Sequence, residues 1–225
     1  LAKEAKKRIL HSNVMVIGLG RFGSALATEL VRTGHEVMGI DTDEKLVQQM
    51  AGVLTHTVCA DTTDEATLRE LGATDFDSAV VAIGADLESS ILTSSLLLQL
   101  GVKNVWAKAN STSHGIILKQ LGCHHVIFPE SEMGKRVAHM VSGETLDYVA
   151  IDNDFVMVKT QVPSSFDGQT LAELKIRSTY GVTVVAVTSG DGKYTPAFPE
   201  TVLNVGSQMV VAGRVEPLNE FCKLA

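Results

Sequence analysis

The residues best placed to do chemistry in this chain are Gly18-Leu19-Gly20-Arg21-Phe22-Gly23 and, 18 positions beyond the last glycine, Asp41. Glycines at this spacing have separate jobs. Gly18 permits a tight turn, Gly20 lets a ligand approach the backbone, and Gly23 lets a helix lie close against a sheet. A helix opening here offers unpaired N–H groups and the positive end of its dipole, which together suit a phosphate. Arg21 falls in the first helical turn, where a cation opposes that dipole. Either an anion sits beside it, or the guanidinium is a solvated surface group. Asp41 suits the hydroxyls of a ribose. A 2′-phosphate there would meet like charge, and no cation follows before Lys45, so NADP is disfavoured. NAD, ATP, ADP and AMP all remain open. The alternative for Asp41 is a helix N-cap, a role that Thr42 or Asp43 can equally fill.

Such a glycine pattern is informative only in context. Here the apolar run Val14-Met15-Val16-Ile17 precedes it, a helical pattern through Leu26, Leu30 and Val31 follows, and a second apolar run, 37–40, ends on Asp41. That is the strand, turn, helix, strand and acid of a dinucleotide-binding βαβ unit. The alternation continues. Strands are predicted over 53–59, 79–83, 104–109 and 125–128, with helices over 65–71 (Asp64 as N-cap), 87–100, 113–121 and 131–141. Six strand–helix units in about 140 residues make a complete doubly wound, Rossmann-like α/β domain, expected at 13–142. Gly143 breaks the pattern. The remainder, a second domain at 149–225, changes character. It predicts strands over 155–162, 181–187 and 208–212, turns at 163–165 and 189–192, and helices over 171–176 and 216–224. This is a small, β-rich α+β domain without an evident catalytic constellation.

Composition narrows the class. The chain has 225 residues and is 45% hydrophobic, with mean hydropathy +0.17; a parallel sheet buried on both faces accounts for that. A net charge of −7 gives a nucleic-acid role no electrostatic support. The longest apolar stretch, 91–100, is interrupted by Thr93, Ser94, Ser95 and Gln99, so no membrane span is expected. No signal-peptide pattern is visible. Cys59, Cys123 and Cys222 are odd in number, far apart and without a CxxC, which points to a reducing cytoplasm. Lys3, Lys6, Lys7 and Arg8 read as a solvated helix face. His124-His125 suggests a metal, but adjacent residues of a strand point to opposite faces.

Four further features act together: Arg21 between the glycines; Cys59-Ala60-Asp61-Thr62-Thr63-Asp64 after the third strand; Val105-Trp106-Ala107-Lys108 as the fifth; and Phe128-Pro129-Glu130 after the sixth. With the short C-terminal domain, the chain from Asn13 to about Arg214 resembles the regulator-of-potassium-conductance family. Within it, the resemblance is to the cytosolic regulatory subunits of bacterial Trk/Ktr potassium transporters. The resemblance implies that Gly18, Gly20, Arg21 and Gly23 hold phosphates and Asp41 the ribose. Asp61 and Thr62 would lie by the adenine, Lys108 near the phosphates, and Glu130 near a divalent cation, Mg or Ca. Phe22, Thr42, Asp43, Ile83 and Gly84 complete the candidate cofactor-binding set. The cofactors implied are ATP and ADP, with NAD or NADH as the alternative. The partners implied are a membrane potassium-translocating subunit and further copies of the chain, as homodimers assembled into an octameric ring at the inner face of the cell membrane. Related C-terminal domains take cyclic di-AMP in a two-fold cleft.

Read from the residues alone, some of these positions stay open. Lys108 stands in an apolar strand and needs either a phosphate or an Asp or Glu on a neighbouring loop. Glu130 either binds metal or opens the next helix. Asp61 serves equally as a helix cap. Three functions compete: a nucleotide-sensing regulatory subunit, an NAD-dependent oxidoreductase, and a detached gating module of a potassium channel. A dehydrogenase needs a substrate domain and a proton donor at the nicotinamide. The C-terminal domain is small and has no His after His139. A channel module needs a pore segment upstream of Leu1. The reading adopted is the non-enzymatic regulator.

Overall fold

Apolar strands buried on both faces need helices on either side, and the computed structural model supplies them. It describes residues 12–84, 86–141, 146–152, 154–188 and 192–225. The basic stretch at 3–8, the break at Gly143 and most of the turn at 189–192 lie outside the described residues. The chain divides into two compact units, Leu1–Glu130 and Ser131–Ala225.

The first unit runs β1 (Asn13–Ile17), α1 (Arg21–Arg32), β2 (Glu36–Asp41), α2 (Glu44–Met50), β3 (His56–Cys59), α3 (Glu65–Glu70), β4 (Ser78–Val81), α4 (Leu87–Gln99), β5 (Val105–Lys108), α5 (Thr112–Leu121) and β6 (His125–Ile127). Its six strands pair in the order β3-β2-β1-β4-β5-β6, all parallel. The side-chain period of a strand splits β1 between two cores. Met15 and Ile17 join Val81, Leu97 and Leu118 on one face; Val14 and Val16 join Ala27, Val37 and Val47 on the other. The order reverses between β1 and β4. In a doubly wound sheet, ligands bind in the crevice outside the strand ends at that reversal.

Two boundaries differ from the sequence reading for reasons of packing. β3 begins at His56, not Val53. Leu54 is buried instead against β2, where a Cβ on Gly39 would meet its Cδ1 at 2.5 Å; its apolarity serves that contact. At the other end of the unit, α6 spans Pro129–Val141 and starts two residues before its expected beginning, which places Glu130 within the helix.

The second unit adds β7 (Asp147–Ala150), β8 (Phe155–Gln161), α7 (Leu171–Leu174), α8 (Ile176–Tyr180), β9 (Thr183–Thr188), β10 (Tyr194–Pro196), β11 (Gln208–Arg214) and α9 (Val215–Cys222). The five strands form an antiparallel sheet, β10-β9-β11-β8-β7. Val156, Val158, Met209, Val211, Leu218 and Phe221 fill its core. Arg136 of α6 grips β7 through two parallel 2.8 Å bonds to the Asp147 carboxylate. The sequence reading misses β7 and β10, the edge strands. Both are short, and β10 is fully exposed, so neither carries an apolar alternation. The single helix expected over 171–176 is two helices, because Lys175 takes a left-handed conformation at φ 48°.

Candidate functional site

The glycine turn lies at the reversal, as the order of its neighbours dictates. Gly18 adopts φ +93°, and a Cβ there would lie 3.0 Å from backbone atoms of Ala82 and Ile83 at the end of β4. A Cβ on Gly23 would meet the Gly18 carbonyl oxygen at 1.8 Å, so α1 packs directly on the turn. Around Gly20 nothing lies within 4 Å of the Cβ position. The turn is therefore closed on the sheet side and open at its middle glycine.

Asp41 ties the turn to β2. Its Oδ2 accepts the Leu19 N–H at 2.7 Å and its Oδ1 accepts the Asp43 N–H at 2.9 Å. The cap of α2 is Asp43, which accepts from the Lys45 N–H, so Asp41 is not spent on a helix end. Thr42 is exposed beside it, its carbonyl 3.5 Å from the Cys59 Sγ.

The starts of α1 to α5 follow a rule with one break. Asp43, Asp64 and Asp86 cap α2, α3 and α4, each with a Glu in the first turn. Ser111 caps α5. At α1 the capping position is Gly20, which has no side chain to offer, and the first turn holds no acid but Arg21. Local sequence satisfies the other four helix ends and leaves this one open to an external anion.

A cationic group forms the other wall. Lys108, at the end of β5, is only 7% exposed. Its ammonium pairs with the Glu130 carboxylate, lies 5.9 Å from the Phe22 ring centroid, and stands 3.2 Å from the Cβ position of Gly84. The hydrogen bond from Lys108 holds the Glu130 carboxyl below its ordinary range, and the nearby Arg21 charge adds to this. Of the two partners open to Lys108, the structure supplies the carboxylate. Glu130 itself occupies a helix start and an ion pair at once.

The structure thus links Gly18, Gly23 and Ile83 at the turn, and Arg21, Phe22, Gly84, Lys108 and Glu130 beside it, with Asp41 tied to the turn from β2. Asp61 and Thr62 follow β3. Asp61 accepts from the Thr63 N–H and hydroxyl at 2.9 and 2.7 Å; the cap of α3 is Asp64, not Asp61. Thr62 is buried, and its hydroxyl meets that of Thr93 at 3.0 Å. The two adjacent histidines serve the sheet. The His124 Nδ1 accepts the Val105 N–H at 3.0 Å, and His125 stacks on Trp106 with ring centroids 3.8 Å apart. Among the described residues, no group of three or more metal-ligating side chains converges. The sequence reading passed over Asn110, whose amide donates to the Gly84 carbonyl. A polar residue immediately after an apolar strand was its only signal.

Residues 14–129 match the family model of the TrkA-N domain, and residues 155–225 that of the TrkA-C domain. The chain belongs to the regulator-of-potassium-conductance family of Trk and Ktr proteins. It is 37% identical over 209 residues to the Ktr system potassium uptake protein C of Bacillus subtilis (strain 168), covering 92% of this chain and 95% of that one. It is 35% identical to the Ktr system potassium uptake protein A of the same organism over 216 residues, 95% of this chain and 97% of the relative. The family fold recurs in the solved structure of the GsuK channel bound to NAD, with TM-score 0.65 and 18% identity over 94% of this chain. The chain spans 39% of that channel's length. No helix among the described residues is long and apolar enough to cross a membrane.

Proposed function

We propose that this chain is the nucleotide-sensing regulatory subunit of a membrane potassium-uptake system, with no catalysis of its own. The observation that carries the reading is the uncapped start of α1 at the sheet's reversal, opposite a buried lysine. The residues present fit a nucleotide. Backbone N–H groups beyond Gly20 would take phosphates, with Lys108 and Arg21 as counter-charges. Asp41 keeps unused acceptor capacity for ribose hydroxyls, and Asp61 and Thr62 bound the adenine side. Arg21 favours ATP, and ADP to a lesser degree, over NAD or NADH, since a cation there meets the added negative charge of a terminal phosphate that a dinucleotide's diester pyrophosphate lacks. The related channel with NAD in its solved structure supports a nucleotide in this fold. A Mg or Ca ion here would have one protein carboxylate, Glu130, and would draw its other oxygens from phosphate and water.

Family membership also supports a membrane partner and a homo-oligomer at the cytoplasmic face, built from dimers into an octameric ring. Exposed Ile116, Ile117 and Leu121 on α5 suit a covered interface. The second unit has a cleft of about 630 Å³ whose lining includes Lys175, Arg177, Phe198 and Pro199. Two cations beside apolar walls suit cyclic di-AMP. Identity of 35–37% to Ktr uptake proteins favours an uptake subunit over a detached channel module. A thermal-shift titration with ATP, ADP, AMP, NAD and NADH tests the reading, because binding stabilises by mass action. ATP and ADP should give the largest shifts. No shift with any of the five would overturn it.

A further inference from the structure

We infer that His114 is a positioning residue for the phosphate side of the crevice, acting through Asn110 on the backbone at Gly84. The inference rests on the nucleotide-binding reading above and assigns a residue that neither the glycine motif nor its acidic partner includes.

His114 lies in the first turn of α5 and is 1% exposed. Its Nδ1 accepts the Asn110 N–H at 3.3 Å, while its own N–H donates to Ser111 Oγ at 3.1 Å. An accepting Nδ1 puts the ring proton on Nε2, and Nε2 has no partner among the described residues. Burial favours the neutral ring. A buried donor without a partner costs stability, so as core filling an apolar residue would serve better here. What histidine supplies and leucine cannot is the acceptor at Nδ1.

That acceptor fixes Asn110. The Asn110 side-chain amide in turn donates to the Gly84 carbonyl. Gly84 is the residue whose Cβ position lies 3.2 Å from the Lys108 ammonium. The brace therefore runs from a buried ring in α5, across the end of β5, to the backbone beyond β4, and it sets the wall against which Lys108 is placed. It touches the phosphate side and leaves the Asp41 side alone.

Calorimetry on the full chain, with ADP as ligand and adenosine by competition, tests this with three variants. His114→Leu removes the acceptor. Asn110→Ala removes the donor to Gly84 from an exposed position. His114→Asn keeps an oxygen close to where Nδ1 stands. His114→Leu and Asn110→Ala should each weaken ADP about three- to tenfold, the worth of one hydrogen bond, and leave adenosine unchanged. His114→Asn should restore ADP binding. Unchanged ADP affinity, equal losses for ADP and adenosine, or a His114→Asn protein as weak as His114→Leu would each overturn the inference. Should His114→Leu not fold, Asn110→Ala decides between the same outcomes. A wild-type chain that binds no nucleotide overturns the functional reading instead.

Discussion

Gly20 and Gly23 stand three positions apart in one motif, yet a side chain at each should fail differently. A Cβ on Gly23 has the Gly18 oxygen at 1.8 Å, whereas one on Gly20 has open space. Gly23→Ala should lower the melting temperature with or without nucleotide. Gly20→Val should melt close to wild type and lose the nucleotide-induced shift; a retained shift would place the site elsewhere. Arg21→Ala should weaken ATP about tenfold and ADP or NAD less, the loss expected for a hydrogen bond to a charged group. Equal losses in calorimetry would make Arg21 a general phosphate contact. The turn glycines were legible because backbone geometry demands their type at fixed spacing; the bonds of Asp41 to the Leu19 and Asp43 N–H groups were not. The partner of Lys108 was legible only as a choice between phosphate and carboxylate, since Glu130 comes from a separate element, the first turn of α6. Asn110 offered only a polar residue after an apolar strand and His114 offered nothing, because their roles are hydrogen bonds between neighbours and carry no pattern of their own.

At the scale of elements, the parallel sheet could be read strand by strand, since burial on both faces makes each strand an apolar run. The second sheet's edges could not, and the apolar pair Val53-Leu54 misled because packing over Gly39 looks the same in sequence as strand character. Helix caps carry a pH signature. Hydrogen bonds from Ser89 hold the Asp86 carboxyl below its ordinary 3.8, with the Glu88 N–H contributing less. A depressed carboxyl stabilises the fold above its unfolded value, and that contribution disappears as pH falls through the lower folded value. Asp86→Ala should therefore melt below wild type near neutral pH, and the gap should narrow as pH falls below 3.8. A gap independent of pH would mean that the charge of Asp86 adds nothing to its cap.

At the scale of the whole molecule, tryptophan and tyrosine are sorted between the units. The single tryptophan is Trp106, stacked on His125 in the first unit. All three tyrosines, Tyr148, Tyr180 and Tyr194, belong to the second. Near-ultraviolet spectroscopy thus offers two optical channels without any label, once the tryptophan contribution to absorbance is subtracted. Tryptophan emission follows the parallel sheet, and tyrosine absorbance follows the antiparallel one. ADP should raise the melting point seen by tryptophan, and cyclic di-AMP the one seen by tyrosine. Where the two channels move together with a single ligand, the units unfold as one cooperative body; where they part, each carries its own stability, and the difference between the curves becomes a direct spectroscopic measure of how far a signal at one end of the chain is felt at the other.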